Sequence, residues 1–234
     1  MTKAKQAPAK AKEMKCVYCG KKHKFPAPGN GSGNGVTLGN NLSISRDSHP
    51  WQLKGNLQLT GWLKRKYAKQ NSIQAHHLIA SSVIRNGKSS KKTWKTICTR
   101  FGYDINKKEN GVWLPSIMAI ACQLGIPLHR GGHPPSYYRL VRADVKLVMD
   151  KAAKGGYCPS NYKNMIKKLD SISSDMLDQI KSFSALLTVD AKDYKKGPNS
   201  IGCAGVQSIS GKPNKKCDRN HGLPVSRRII SIGK

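Results

Sequence analysis

The apolar positions of the chain recur mostly at helical spacing. Leu59, Trp62, Leu63 and Tyr67 fall on one side of a short amphipathic helix over 56–70. Trp94, Ile97, Cys98 and Phe101 stand at i, i+3, i+4 and i+7, which predicts a second helix with Ser90 as its N-cap. Ile117, Ile120, Ala121 and Leu124 form a third stripe. Tyr138, Val141, Val145 and Val148 form a fourth, which starts at Pro134 and Pro135 because proline presets the first helical turn, and runs to about Ala153. Over 160–188 the pattern predicts a pair of helices. Tyr162, Met165, Ile166, Leu169 and Ile172 line the first, behind Ser160; Met176, Leu177, Ile180, Phe183 and Leu187 line the second, behind Ser174. Two stretches read as extended: SIQAHHLI at 72–79, and VWL after the turn signal Asn110 and Gly111. The fold class is α+β, mostly helical.

The remaining segments lack such a pattern. Residues 1–14 are rich in Lys, Ala and Pro and read as a disordered basic N-terminus. Residues 26–41 hold five Gly and four Asn and read as a loop. Residues 195–234 are irregular, rich in Gly, Ser and Lys, with two further cysteines. Because cysteine-bearing segments stand at both ends, 15–234 reads as one domain. Within it lie a core at about 72–153, the helical pair at 160–188 and the basic segment at 195–234. No apolar run reaches the ~18 residues of a membrane-spanning helix, and the N-terminus lacks the apolar stretch of a signal peptide.

Charge narrows the partner. The 234 residues include 42 Lys or Arg and 12 Asp or Glu, a formal charge of +30. It is spread along the chain: eight Lys in 1–24, eight basic residues in 85–108 and nine in 195–234. Such a chain repels itself unless a polyanion offsets the charge, and nucleic acid is the polyanion whose phosphates do so by releasing counterions. An acidic membrane surface is the weaker expectation, since no basic amphipathic helix of sufficient length is present. Charge is silent on catalysis.

The histidines supply the chemistry. Of seven, four form two tight groups: His76 and His77 adjacent in an extended segment, and His129 and His133 four residues apart before the Pro-initiated helix. Adjacent residues of a strand point to opposite faces, so one imidazole can enter a metal shell while its neighbour faces a substrate. Two His at this spacing can reach one ion on one side of a turn. A metal held by imidazoles keeps positions open for a phosphate oxygen and water, and a neutral His beside it can take the water's proton. A side-chain amide such as Asn110 can hold the other imidazole nitrogen and fix its tautomer.

Three blocks in order, AHHLIA, FGYDINKKENGVWLP and HRGGHPPSYY, resemble the AHH nucleases of the HNH/endonuclease VII superfamily, found as toxin domains of bacterial effectors. The resemblance runs from about Ala75 to Val145. It implies a ββα-metal (His-Me finger) core and hydrolysis of phosphodiester bonds with one divalent ion, whether Mg²⁺, Zn²⁺, Ni²⁺ or Mn²⁺. It makes His76 and His133 metal ligands, and His129 a third ligand or a phosphate contact. It makes His77 the base that activates water, Asn110 the residue that orients that base or the hairpin loop, and Arg130 a contact to the scissile phosphate. Asp104 is a weaker candidate that would shape the turn. The implied protein is a non-specific endonuclease, with DNA favoured over RNA because a metal-and-His centre does not use the 2′-OH. A toxin further implies secretion or translocation into the cytoplasm of a target cell, and an acidic immunity protein in the producer.

A second metal site is expected at the ends of the chain. The seven cysteines are odd in number and irregularly spaced, which disfavours a disulfide framework. Cys98 and Cys122 occupy apolar helical positions, and Cys158 has no evident role. Cys16 and Cys19, followed by Gly20, have the spacing of a zinc knuckle. Cys203 and Cys217 would complete a structural zinc site, with His23 and His221 as rival ligands. The alternative for the whole chain is a non-catalytic, basic nucleic-acid-binding protein whose metal is structural.

Overall fold

The computed structural model describes residues 13–44, 73–116, 127–129, 133–158, 161–181, 184, 185 and 187. The stripes expected over 56–70 and at Ile117, Ile120, Ala121 and Leu124 lie outside the described residues, as do Arg130, Cys122 and all of 195–234.

The chain is a mixture of short strands and longer helices. A small hairpin opens it: β1 (Glu13–Lys15) pairs antiparallel with β2 (Lys22–Lys24). Glu13 and Met14, expected within the disordered N-terminus, therefore belong to a strand. A helix follows, α1 (Gly35–Ile44), where composition predicts a loop. Leu38 and Leu42 are fully buried, Gly39 is buried between them, and Asn34 caps the helix by accepting the amide of Thr37 at 3.0 Å.

The centre is a two-stranded antiparallel sheet, β3 (Ile73–His77) and β6 (Gly111–Pro115). In its register Ala75 faces Trp113, His76 faces Val112 and His77 faces Gly111. Opposed residues share a face, so His76, Val112 and Leu114 turn into the main core, while Ala75, His77 and Trp113 turn to the other side. There α1 packs on the sheet. Gly111 permits the approach, since a Cβ at that position would lie 2.6 Å from Leu38 Cδ1.

Between these strands come α2 (Ser81–Asn86), the hairpin β4 (Lys88–Ser89) and β5 (Lys92–Thr93), α3 (Trp94–Phe101) and a single 3-10 turn, Lys108–Asn110. The helix predicted from Trp94, Ile97, Cys98 and Phe101 is present, and all four are buried. Its N-cap is Thr93, whose hydroxyl accepts the Thr96 amide at 3.2 Å, and not Ser90. Ser90 instead turns the β4–β5 hairpin, with φ at 55°. Gly102, with φ at 74°, ends α3 in the left-handed region that glycine adopts without strain.

Two long helices close the core, α4 (Pro135–Ala153) and α5 (Tyr162–Lys181). The helix start at the prolines and the end at Ala153 agree with the sequence. The buried stripe begins at Tyr137, one residue before the Tyr138 expected. The helical pair expected over 160–188 is corrected: α5 runs unbroken through Ser174. Met165, Leu169, Ile172, Met176 and Ile180 continue one 3.6-residue period across that point with no Gly or Pro to break it, so Ser174 caps nothing. No helix of the described residues is long and apolar enough to cross a membrane.

Candidate active site

The last two residues of β3, His76 and His77, begin the candidate site. Because β3 alternates its faces, His76 enters the core, where it is only 2% exposed, and His77 does not. The segment after β6 returns to it: the His129 amide donates to the Pro115 carbonyl at 2.8 Å. His133 stands just ahead of α4, and Tyr137 one helical turn beyond it. The imidazole rings of His76, His129 and His133 form a triangle with centroids 4.6, 4.8 and 5.1 Å apart. One ligand nitrogen from each lies within 4.8 Å of the others.

The hydrogen bonds fix which nitrogen each ring presents. The Tyr137 hydroxyl donates its one proton to the Leu78 carbonyl at 2.7 Å. Its oxygen, 3.0 Å from His76 Nε2, therefore accepts from that nitrogen, which leaves the lone pair of His76 on Nδ1. His133 Nδ1 lies 3.2 Å from the Leu187 carbonyl, which only accepts, so His133 carries its proton there and its lone pair on Nε2. Nδ1 of His129 is buried and has no partner among the described residues. All three rings are held neutral. Burial first, then the neighbouring imidazoles, pushes His76 well below the ordinary range; the same causes bring His129 down to about 4. Burial lowers His133 as well, against the opposing pull of the Leu187 carbonyl. Three neutral imidazoles that each bring a nitrogen within 4.8 Å of the others, beside a buried His129 Nδ1 with no partner among the described residues, form a donor set that fits a divalent transition-metal ion.

His77 is held by an amide, and that amide is Asn106 rather than Asn110. Asn106 Nδ2 donates to the Ser32 carbonyl at 3.0 Å, and its Oδ1 accepts the Asn34 amide at 2.7 Å, which fixes the orientation of the group. The same Oδ1 lies 3.0 Å from His77 Nε2, which must donate to it. The free lone pair of His77 is then on Nδ1. Burial lowers His77 from its usual pKa, with Asn106 and Asp104 pulling the other way. Asp104 shapes the turn, accepting the Asn106 amide at 2.9 Å. Beside His77, Gly33, Gly39, Gln74, Ala75 and Trp113 help to line an open groove of about 780 Å³.

Asn110 serves the loop. Fully buried, it accepts the Ile79 amide at 2.7 Å and the Ser173 hydroxyl at 2.9 Å, and donates to the Ile105 carbonyl at 2.8 Å. None of these hydrogen bonds goes to His76 or His77; Asn110 ties the chain leaving β3 to the chain entering β6 and to α5. Of the expected zinc ligands, Cys16 and Cys19 come together with His23 and with Cys158. Cys203, Cys217 and the rival His221 lie outside the described residues.

Sequence reasoning missed Asn106, Tyr137 and Cys158. Tyr137 follows His133 by four residues and precedes Val141 by four, a helical signal that places it on the His133 face. Asn106 carries no comparable signal, because its partners Ser32 and Asn34 lie more than seventy residues away in a segment read as featureless.

No curated protein and no solved structure matches the chain. Residues 60–175 match the family model of AHH, described as a nuclease family of the HNH/ENDO VII superfamily with conserved AHH. In this chain those letters are Ala75, His76 and His77, the end of β3. Residues 60–175 are therefore an AHH-family nuclease domain, and the chemistry of that family is hydrolysis of the phosphodiester bonds of nucleic acid.

Proposed function

We propose that the chain is a metal-dependent, non-specific endonuclease that cuts DNA, built on a ββα-metal core of β3, β6 and α4. The observation that carries this reading is the pairing of two prepared nitrogen sets. His77 is fixed by Asn106 with its lone pair on Nδ1, and its neighbour on β3, His76, brings a nitrogen within 4.8 Å of those of His129 and His133.

His76, His129 and His133 would hold one divalent ion. Bound there, it would supply positive charge to the phosphate and to the departing oxygen. His77 takes the proton of the attacking water at Nδ1, while its Nε2–H stays on Asn106 Oδ1 and keeps the ring from turning. As the ring becomes charged, the amide oxygen and the Asp104 carboxylate favour the imidazolium. Tyr137 keeps His76 in one tautomer throughout. Arg130, next to His129 in the chain, is assigned to the phosphate. Nothing in this arrangement reads base edges, and contacts from Lys and Arg to the backbone are blind to sequence. DNA is favoured because hydrolysis at a metal-and-His centre does not use a 2′-OH.

The biological setting follows the same reading. The enzyme acts as an antibacterial effector or toxin delivered into the cytoplasm of a target cell, and its producer holds an acidic immunity protein suited to a +30 chain. The test is plasmid cleavage by metal-stripped protein given Mg²⁺, Mn²⁺, Ni²⁺ or Zn²⁺ in turn, with an RNA substrate in parallel. Nicking of the plasmid that returns with a metal is expected. Cleavage unaffected by stripping, or confined to RNA, contradicts the proposal.

A further inference from the structure

The second cluster of donors has no part in phosphodiester chemistry. Cys16 lies in the turn between β1 and β2, Cys19 in the same turn, His23 on β2, and Cys158 in the tight turn that follows α4. Cys16 Sγ and Cys158 Sγ are 3.5 Å apart, and Cys19 Sγ and His23 Nε2 are 3.6 Å apart. All four donor atoms lie within 4.8 Å of one another, and all three thiols are free. A tetrahedron with bonds of about 2.3 Å to sulfur has edges of about 3.8 Å, close to both separations.

The surrounding backbone is built for the same arrangement. The Tyr18 amide points at Cys16 Sγ at 3.4 Å, the contact that steadies a thiolate. Gly20, with φ at 74°, folds the turn so that its amide reaches the Cys16 carbonyl at 2.8 Å. On the other side Gly155, with φ at 77°, brings its turn against the knuckle; a Cβ there would lie 3.1 Å from Cys19 Cβ. Two three-residue strands do not hold together unaided in water. This hairpin rests on α3 through Tyr18, whose ring lies 5.1 Å from that of Phe101, takes a hydrogen bond from Lys92 Nζ at the Val17 carbonyl at 3.0 Å, and meets the turn after α4 at Cys158.

We propose that Cys16, Cys19, His23 and Cys158 bind one zinc ion in a closed structural site that staples the N-terminal hairpin to the turn between α4 and α5. Three soft thiolates and one imidazole select zinc among the common divalent ions. Four protein ligands leave no open position, so this metal binds no substrate, in contrast to the three-imidazole cluster. The positive charge of Lys21, Lys22 and Lys24 offsets the net negative charge of a three-thiolate zinc site. Cys16, Cys19 and His23 precede residues 60–175, so the staple joins a segment outside the family match to one inside it. The ligand set replaces Cys203 and Cys217 with His23 and Cys158.

The test is cobalt substitution in the full-length protein, read by thiolate-to-cobalt charge-transfer absorption and by metal content. The parent should show the sulfur band. Cys158→Ser should lose most of it together with about one metal per chain. His133→Ala should keep it, which separates this site from the imidazole cluster, and so should the double variant Cys203→Ser with Cys217→Ser. A parent without the band overturns the proposal, and so does a band lost in the double variant but kept in Cys158→Ser. Should Cys158→Ser fail to fold, alkylation of the parent decides. Cys16, Cys19 and Cys158 should resist reagent until a chelator is added and then react together. Equal reactivity before and after chelation, or a Cys16–Cys158 disulfide by mass, overturns it.

Discussion

Single hydrogen bonds decide what the imidazoles of this chain can do. A histidine side chain offers two nitrogens, and only the partner of one determines whether the other is a ligand or a base. Tyr137 makes that choice for His76, and Asn106 makes it for His77. Tyr137→Phe keeps the ring and its packing but leaves the buried Nε2–H of His76 without an acceptor. We expect metal affinity to fall by about 10–100-fold, the usual effect of losing a group that orients a ligand. Titration calorimetry of the metal-stripped protein measures it; unchanged affinity would mean that Tyr137 only fills space. At this scale the sequence was legible in part. The motif letters at Ala75, His76 and His77 and the spacing of His129 and His133 pointed to the cluster, because local patterns carry them. Asn106 was not legible, since its role arises from contacts with Ser32 and Asn34 that only folding creates.

At the scale of elements, the two strands are short and the loops between them are long, so the sheet relies on polar groups buried at its ends. Asn110 is the chief of these. It satisfies the Ile79 amide and the Ile105 carbonyl, and α5 reaches it through Ser173. Asn110→Ala strands those groups without water, and each unsatisfied buried group costs about 1–3 kcal/mol. The expected result is a loss of at least about 2 kcal/mol in urea unfolding, with a parallel loss of activity. A stable, inactive variant would instead argue for direct contact with the reacting atoms. The strands and the long helices were readable from periodicity, since each keeps its own period. Helix α1 was hidden because it continues from a run rich in Gly and Asn, and only Leu38 and Leu42 mark its buried side. The split expected in α5 came from reading Ser174 as a cap, when the apolar period simply continues past it.

The whole molecule is basic, and burial keeps the imidazoles of its candidate site neutral. His76, His77, His129 and His133 all have pKa values pushed below the ordinary imidazole value, chiefly by burial. In the unfolded chain these groups take up protons near pH 6.5. Below that pH the unfolded state binds more protons than the folded one, so stability falls as pH falls. For His129 the loss spans the window from 6.5 to about 4. The metal-free protein should therefore show a lower denaturant midpoint at pH 5 than at pH 7.5, and His129→Gln should flatten that dependence. A midpoint that rises on acidification would contradict neutral imidazoles in the folded state. The charge of +30 acts at longer range, drawing a polyanionic substrate to the surface and weakening its hold as salt rises.

The central claim is that His77 is the base beside a metal-binding imidazole cluster. The most direct measurement is the rate of plasmid nicking by the metal-loaded parent and by His77→Ala, with DNA binding measured for both at the same salt. The account predicts binding within a few-fold of the parent and a nicking rate lower by about 10²–10⁴, the contribution typical of a positioned general base. Nicking at the parental rate by His77→Ala would contradict it.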